Sequence, residues 1–177
     1  WPADAIARDQ IALTAHLGET PYATIGYSMG AISALRFHLL SRRTGRLILG
    51  GVGASVADEN NTDRNIAFRT AIEEGLAGRD TPGAKAVLAR AEATGGTLTG
   101  YLGALSARTY TPADLLATFS VPTLVLTGDE DLDNGAGPGL AAKIPGARYT
   151  GLTGTHLTAV LDPAFPAAIL ADLAQGR

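Results

Sequence analysis

The stretch Gly26-Tyr27-Ser28-Met29-Gly30 lies between two segments of different hydrophobic periodicity, and this junction decides the fold. The residues before it, 22–27, are apolar, β-branched and aromatic, which predicts a short buried strand. The residues after it, 29–43, carry apolar side chains at helical spacing and end in a basic turn before a glycine, which predicts a helix. The serine therefore occupies a sharp strand-to-helix turn, where small flanking residues relieve backbone crowding and the hydroxyl group projects from the sheet edge.

The rest of the chain supplies the other strands and helices of the predicted sheet. A buried strand pattern covers 46–49 and runs into a glycine-rich exit, and further strand patterns cover 123–127 and 147–152. Helical patterns cover 3–17 and 156–174, the latter with prolines that would interrupt it. Because strands alternate with helices, we expect an α/β fold with a mostly parallel sheet flanked by helices. Sheets of this kind bind ligands beyond the carboxyl ends of their strands.

The middle of the chain differs from the segments on either side of it. Residues 58–119 lack strand patterns and contain several short helical patterns separated by glycine and proline. We therefore expect a core formed by residues 1–57 and 120–177, with residues 58–119 inserted as a helical segment.

The composition excludes several classes of function. The 177 residues include 46% hydrophobic and 18% charged side chains, which is typical of a globular chain rather than a disordered one. The formal net charge of −3 is spread along the chain, so no basic patch predicts a nucleic-acid partner. No apolar run approaches the roughly 20 residues that span a bilayer. The absence of cysteine excludes thiolate chemistry, and three histidines argue against a histidine-rich metal site.

A serine hydroxyl group is a weak nucleophile unless a base removes its proton and an acid orients that base. The strand pattern at 123–127 ends in the carboxylate cluster Asp129, Glu130, Asp131 and Asp133. The last strand pattern is followed by His156. Parallel strands would bring these residues to the same sheet edge as Ser28, in the chain order serine, acid, histidine.

These motifs resemble those of the α/β-hydrolase superfamily, from the helix before the nucleophile to the end of the chain. The resembling pieces are G-Y-S-M-G at 26–30, V-P-T-L-V-L-T-G-D-E-D at 121–131 and G-T-H at 154–156. The resemblance implies Asp131 as the acid, because the family acid usually lies three residues after the glycine that closes the strand. The family also has a variation in which the acid follows the preceding strand, and this makes Asp58 the alternative. The resemblance also implies that residues 58–119 form a cap over the pocket.

The same resemblance assigns the oxyanion donors. One is the backbone N–H of Met29, directly after Ser28. The second comes in the family from a loop after an earlier strand, and that part of the family has no counterpart before Trp1. The resemblance therefore implies an exposed edge at the first strand, which predicts a homodimer or pairing with a missing amino-terminal segment.

Other motifs have simpler interpretations. His16 and His38 fall within predicted helices, where a packing or solvated role is expected. Residues 129–140 superficially match a calcium loop, but the glycine is one position late and Leu140 occupies the place of the final glutamate. The glycines at 50–53 lack the third glycine of a dinucleotide loop, so no cofactor is predicted.

The expected function is that of a hydrolase cleaving the carboxylester bond of a small, apolar substrate through Ser28, His156 and Asp131. The alternatives are an acyltransferase or cofactor-free perhydrolase that uses the same serine, and a non-catalytic binding or assembly module. The sequence begins at Trp1-Pro2 with neither an initiator methionine nor a signal sequence, and a cytoplasmic location is expected.

Overall fold

A computed structural model describes residues 1–58, 63–107, 110–131 and 133–175. The chain folds into two compact units, residues 1–6 with 60–109 and residues 7–59 with 110–177. The interpretation of residues 58–119 as a cap stays a prediction.

The larger unit contains a parallel sheet in the order β1-β2-β3-β4, in which each strand pairs with the next along the chain. Its strands are β1 (Thr24–Tyr27), β2 (Leu47–Gly50), β3 (Thr123–Gly128) and β4 (Arg148–Leu152). Its helices, with α1 beginning in the smaller unit, are α1 (Ala5–His16), α2 (Met29–Ser41), α6 (Ala113–Leu116), α7 (Gly137–Ala141) and α8 (Ala164–Ala174). The predicted α/β class with a parallel sheet is confirmed.

The two central strands, β2 and β3, are buried on both faces of the sheet, where neighbouring side chains of a strand point in opposite directions. Leu47 and Leu49 of β2 pack with α2 and α7 in one cluster, while Ile48 between them packs with α8 in another. All four residues of β2 and all six of β3 are buried. This double burial explains why these strands read as continuous apolar runs in the sequence.

The smaller unit is helical. It contains α3 (Asp63–Leu76), α4 (Pro82–Thr94) and α5 (Leu98–Ala107), which enclose a cluster of buried residues: Ile72, Val87, Ala91 and Leu98. The bounds of α4 follow from its capping residues. Thr81 accepts a hydrogen bond from the Ala84 N–H at 3.1 Å, Pro82 occupies the first turn, and Gly95 ends the helix at φ 65°.

The terminal helix is shorter than the sequence pattern predicts. Residues 156–158 form a turn and 159–161 a 3₁₀ helix, and α8 begins only at Ala164. A helix from His156 would place Pro163 and Pro166 in its interior, where each would remove a backbone hydrogen bond. In the observed helix Pro166 lies in the first turn, where N–H groups have no intrahelical acceptor. The prediction of a helix that begins at His156 is wrong for this reason, whereas the predicted interruption near Pro163 coincides with the start of α8.

Strand β1 lies at one edge of the described sheet, and Ile25 within it is 48% exposed. An apolar edge strand presents unpaired backbone groups to a partner. Pairing of this edge with a second copy or with an earlier segment stays a prediction, and a stable monomer in sedimentation at high concentration would contradict pairing between copies. In the described ranges, the helices are all too short or too polar to cross a membrane.

Candidate active site

Ser28 occupies the turn between β1 and α2 in a backbone conformation that is unusual for a residue with a side chain. Its φ of 55° and ψ of −118° lie outside the ordinary regions, which costs on the order of 1–3 kcal/mol. The conformation is held from the neighbouring strand, because the Ser28 N–H donates to the Gly50 carbonyl at 2.7 Å. The sheet thus fixes the turn that presents the serine.

The two glycines around Ser28 differ in their surroundings. A Cβ atom at Gly26 would lie 2.3 Å from the carbonyl group of Gly30, so only glycine fits between β1 and α2. A Cβ atom at Gly30 would meet nothing within 4 Å. We expected both glycines to relieve crowding, but only Gly26 does so. Its hydrogen atom takes the place of a side chain that would collide with the Gly30 backbone.

The Ser28 hydroxyl group bonds to the imidazole of His156 rather than to its own helix. Serine at a helix N-cap ordinarily accepts a bond from a first-turn N–H, yet Ser28 makes no such bond. Its Oγ lies 2.8 Å from His156 Nε2, and His156 Nδ1 lies 2.9 Å from Asp131 Oδ2. Asp131 and His156 are buried, at 8% and 9% exposure. The three residues predicted from the sequence thus lie in one hydrogen-bonded series.

The neighbouring carboxylates have other partners. Asp129 accepts a bond from the Gly154 N–H at 2.8 Å and so ties the end of β3 to the segment that carries His156. The Asp133 carboxylate lies 3.8 Å from His156 Nδ1, and the Asp133 N–H donates to Asp131 Oδ1 at 3.1 Å. Glu130 and Asp58 are exposed. Of the candidate acids, Asp131 makes the 2.9 Å bond to the imidazole.

Met29, predicted as an oxyanion donor, is the first residue of α2. The N–H groups of the first turn have no intrahelical acceptor and carry the positive end of the helix dipole. The Met29 N–H therefore combines donor capacity with a position directly after Ser28. Its role, and that of a second donor, stay predictions.

Two residues that the sequence did not single out contact this site. The Tyr27 hydroxyl group donates to the backbone carbonyl of His156 at 2.7 Å, and the buried Asn134 amide donates to the Gly51 carbonyl at 2.9 Å. Burial, together with the charges of Asp131 and Asp133, raises the pKa of Tyr27 to about 12. Tyr27 occupies a position that the G-x-S-x-G motif leaves open, Asn134 lies in no motif, and both bond to backbone atoms far away in the sequence.

One group of side chains has the donor atoms for a metal ion. Among the described residues, one ligand atom each from Asp131, Asp133 and His156 lies within 4.8 Å of the others. His156 Nδ1 already bonds to Asp131, so an ion would have to replace that bond. The arrangement fits an imidazole oriented by carboxylates better than a metal site.

The remaining histidines lie elsewhere. His16 is exposed at the end of α1. His38 is buried in α2, with its ring edge-on to Phe119 at 4.6 Å between centroids. Both ring nitrogens of His38 lack a hydrogen-bond partner in the described part of the chain. Burial, with a smaller contribution from the Arg42 charge, lowers the pKa of His38.

Comparison with solved structures identifies the fold. The chain superposes on a hydrolase from Pseudomonas aeruginosa PA01 with a TM-score of 0.74 and 28% identity, covering 97% of this chain and 72% of that one. It superposes on an enol-lactonase from Burkholderia xenovorans LB400 with a TM-score of 0.73 and 19% identity, covering 98% and 74%. It superposes on an α/β hydrolase from a Medee basin deep-sea metagenome library with a TM-score of 0.71 and 19% identity, covering 95% of this chain and 70% of that one.

These matches confirm the resemblance predicted from the sequence: the chain has the α/β-hydrolase fold. It spans about three quarters of the length of each of these structures. Neither a protein-family model nor a curated protein matches the sequence. The fold and its hydrolase neighbours support an enzyme of the hydrolase type.

Proposed function

We propose that this chain is a serine hydrolase that cleaves carboxylester bonds of small, apolar substrates. The observation that carries the proposal is the series Ser28 Oγ, His156 Nε2, His156 Nδ1 and Asp131 Oδ2, with distances of 2.8 and 2.9 Å at its two links. Nucleophile, base and orienting acid at hydrogen-bond distance are the arrangement that activates a serine.

In the first half of the reaction, Ser28 Oγ attacks the ester carbonyl and its proton passes to His156 Nε2. Asp131 stabilises the imidazolium through Nδ1, and the Met29 N–H donates to the developing oxyanion. The intermediate collapses as the C–O bond to the leaving alkoxide breaks and the alkoxide takes the proton from His156. In the second half, His156 removes a proton from water, whose oxygen attacks the acyl carbon; the bond between that carbon and Ser28 Oγ then breaks, and Oγ takes the proton back from His156 as the acid leaves.

Apolar side chains beside the two reacting residues support the choice of substrate. Met29 directly follows Ser28 and is 45% exposed, and Leu157 directly follows His156 and is 72% exposed. Exposed apolar groups next to a reactive pair favour an apolar acyl or alcohol group. We expect kcat/KM to rise with acyl length across p-nitrophenyl acetate, butyrate and octanoate, and a flat series would contradict this substrate class.

A fluorophosphonate probe tests the nucleophile, because it forms a covalent bond to an activated serine. The wild-type chain is expected to be labelled and the Ser28→Ala chain not. Ser41→Ala is the matched control, since Ser41 lies at the far end of the same helix, where its hydroxyl group donates to the Phe37 carbonyl at 2.7 Å and accepts from the Arg43 N–H at 3.2 Å. Absence of labelling in the folded wild-type chain would contradict the proposal.

Product analysis separates the alternatives. With an ester substrate, faster acyl transfer to an added alcohol or to peroxide than to water would identify an acyltransferase or a perhydrolase. Tight ligand binding that Ser28→Ala leaves unchanged, without turnover, would identify a binding module.

A further inference from the structure

Tyr27 connects the strand that carries the nucleophile to the residue that acts as its base. It is the last residue of β1 and directly precedes Ser28. Its hydroxyl group donates to the main-chain carbonyl of His156 at 2.7 Å. The backbone positions of the two reacting residues are therefore linked through one side chain.

The Tyr27 ring also contacts the imidazole. The two ring centroids lie 5.4 Å apart with their planes tilted by 39°. On another side the tyrosine ring meets Phe165 of α8 in an edge-on contact at 5.8 Å. A ring held between two neighbours has little freedom to rotate, so the hydroxyl group at its end is fixed in space.

The end of β2 leaves space for this pair of rings. A Cβ atom at Gly50 would lie 2.6 Å from Tyr27 Cδ2. A Cβ atom at Gly51, whose φ is +62°, would lie 2.7 Å from Tyr27 Cζ and 3.1 Å from His156 Cε1. Side chains at these positions would displace the tyrosine, the imidazole or both.

His156 needs an anchor of this kind because residues 153–158 form bends and turns rather than a helix or strand. Other main-chain bonds of this segment lie on either side of His156: among them, the Gly154 N–H donates to Asp129 at 2.8 Å, the Thr153 N–H donates to Asp162 at 2.6 Å, and the Ala159 N–H donates to the Thr155 carbonyl at 3.0 Å. Tyr27 bonds to the main chain of His156 itself.

The Tyr27 hydroxyl group and the His156 carbonyl can form this hydrogen bond over a wide range of pH. With a pKa of about 12, the Tyr27 hydroxyl group stays protonated and can donate throughout the range in which an esterase is assayed. The acceptor is a backbone carbonyl, which does not titrate.

We propose that Tyr27 is a positioning residue, whose hydroxyl group holds the His156 main chain so that the imidazole stays in line with Ser28. The inference rests on the proposed function. It predicts that the loss of the hydroxyl group alone slows the chemical step, because a base that moves away from the nucleophile is less often in reach of its proton.

The test compares Tyr27→Phe with Tyr22→Phe. Both variants keep the ring and lose one hydroxyl group that donates to a backbone carbonyl, that of His156 in the first and that of Leu173 in the second. Fluorophosphonate titration counts the active sites, so that kcat is expressed per folded, reactive molecule. A purely structural bond would alter thermal stability in both variants and kcat per site in neither.

We expect Tyr27→Phe to lower kcat on a p-nitrophenyl ester about tenfold at unchanged KM, and to slow fluorophosphonate labelling by the same factor. A tenfold effect corresponds to about 1.4 kcal/mol, the size of one net hydrogen bond. Tyr22→Phe is expected to leave both rates unchanged. Equal rates in wild type and Tyr27→Phe would overturn the inference, whereas an unreactive wild type would overturn the proposed function on which it rests.

A second pair of variants tests the same link from the other side of the rings. Gly51→Ala and Gly146→Ala both place a side chain at a positive φ, +62° and +69°, but only the first Cβ meets Tyr27 and His156, since nothing lies within 4 Å of the second. We expect Gly51→Ala alone to lower kcat per active site. Equal kcat in the two variants would contradict the inference.

Discussion

At the amino ends of β2 and β4, Arg46 and Arg148 both bind Asp172 of α8, whereas beyond the carboxyl ends of β3 and β4 the carboxylate of Asp131 binds the imidazole of His156. Both groups join distant parts of the chain through ionisable side chains. The first bridges two strands and a helix, and the second bridges a strand exit and the turn after β4.

The two clusters differ in how they end. Each oxygen of Asp172 meets a guanidinium group, so the cluster is closed and the carboxylate is only 2% exposed. The series from Asp131 continues through His156 and ends at the hydroxyl group of Ser28. The backbone of Ser28 is strained, with a φ of 55°. A closed cluster stabilises the fold, while a series that ends on a hydroxyl group can pass a proton to a substrate.

The largest effect is expected from Asp131→Asn. Loss of the carboxylate removes the group that holds the imidazole in its reactive tautomer, which we expect to lower kcat about 10⁴-fold with little change in stability. Asp129→Asn is the matched control, because an amide oxygen can still accept the bond from the Gly154 N–H. Ester hydrolysis by the two variants distinguishes the acids, and equal losses would argue against Asp131 as the orienting residue.

Asp172→Asn is expected to affect stability instead of rate. Removal of the buried carboxylate leaves Arg46 buried without its counter-charge, which costs about 3–5 kcal/mol. Urea unfolding measures this loss, and titrated active sites give the rate per folded molecule, which is expected to stay unchanged. A fall in rate per site would mean that the two ends of the sheet are coupled.

The two arginines that bind Asp172 differ in their exposure to solvent. The Arg46 side chain is 7% exposed and that of Arg148 is 46% exposed. Water screens the second pair, so Arg148→Gln is expected to cost less than about 1 kcal/mol of unfolding free energy, and Arg46→Gln several times more. Equal costs would show that burial does not decide the strength of these pairs.

The smallest effect concerns His38, a buried imidazole that belongs to neither cluster. Its pKa in the folded chain lies below the ordinary 6.5. As the pH falls through about 6.5, the His38 side chain of the unfolded chain binds a proton that the folded chain does not yet bind. The free energy of unfolding therefore decreases on acidification. We expect His38→Phe to weaken the fall in unfolding free energy between about pH 7 and 5. An unchanged pH dependence would contradict this prediction.

The sequence was informative wherever one element carries its own signal. The buried strands at β2 and β3 and the junction at Ser28 follow from local patterns, and the bounds of α4 follow from capping residues. The terminal helix was predicted too long because its apolar spacing continues through Pro163 and Pro166. The short helices α6 and α7 were not predicted, because four or five residues give no periodic pattern.

Some features of the site were beyond any local pattern. Five carboxylates were candidates for the acid by position, and spacing within the resembling motif favoured Asp131. Its bond to His156 depends on how β3 and β4 pair across the sheet. The motif likewise assigned the same role to both glycines beside Ser28, whereas only Gly26 faces a backbone too close for a side chain.

By itself, the sequence determined the α/β class, the strand-to-helix turn at Ser28 and the order of serine, acid and histidine along the chain, because these depend on periodicity and turn chemistry over a few residues. The tertiary structure decided which carboxylate reaches the imidazole, and it brought Tyr27 to the carbonyl of His156, 129 residues away. Contacts of that kind form only when parallel strands place their ends side by side, and no local pattern records them.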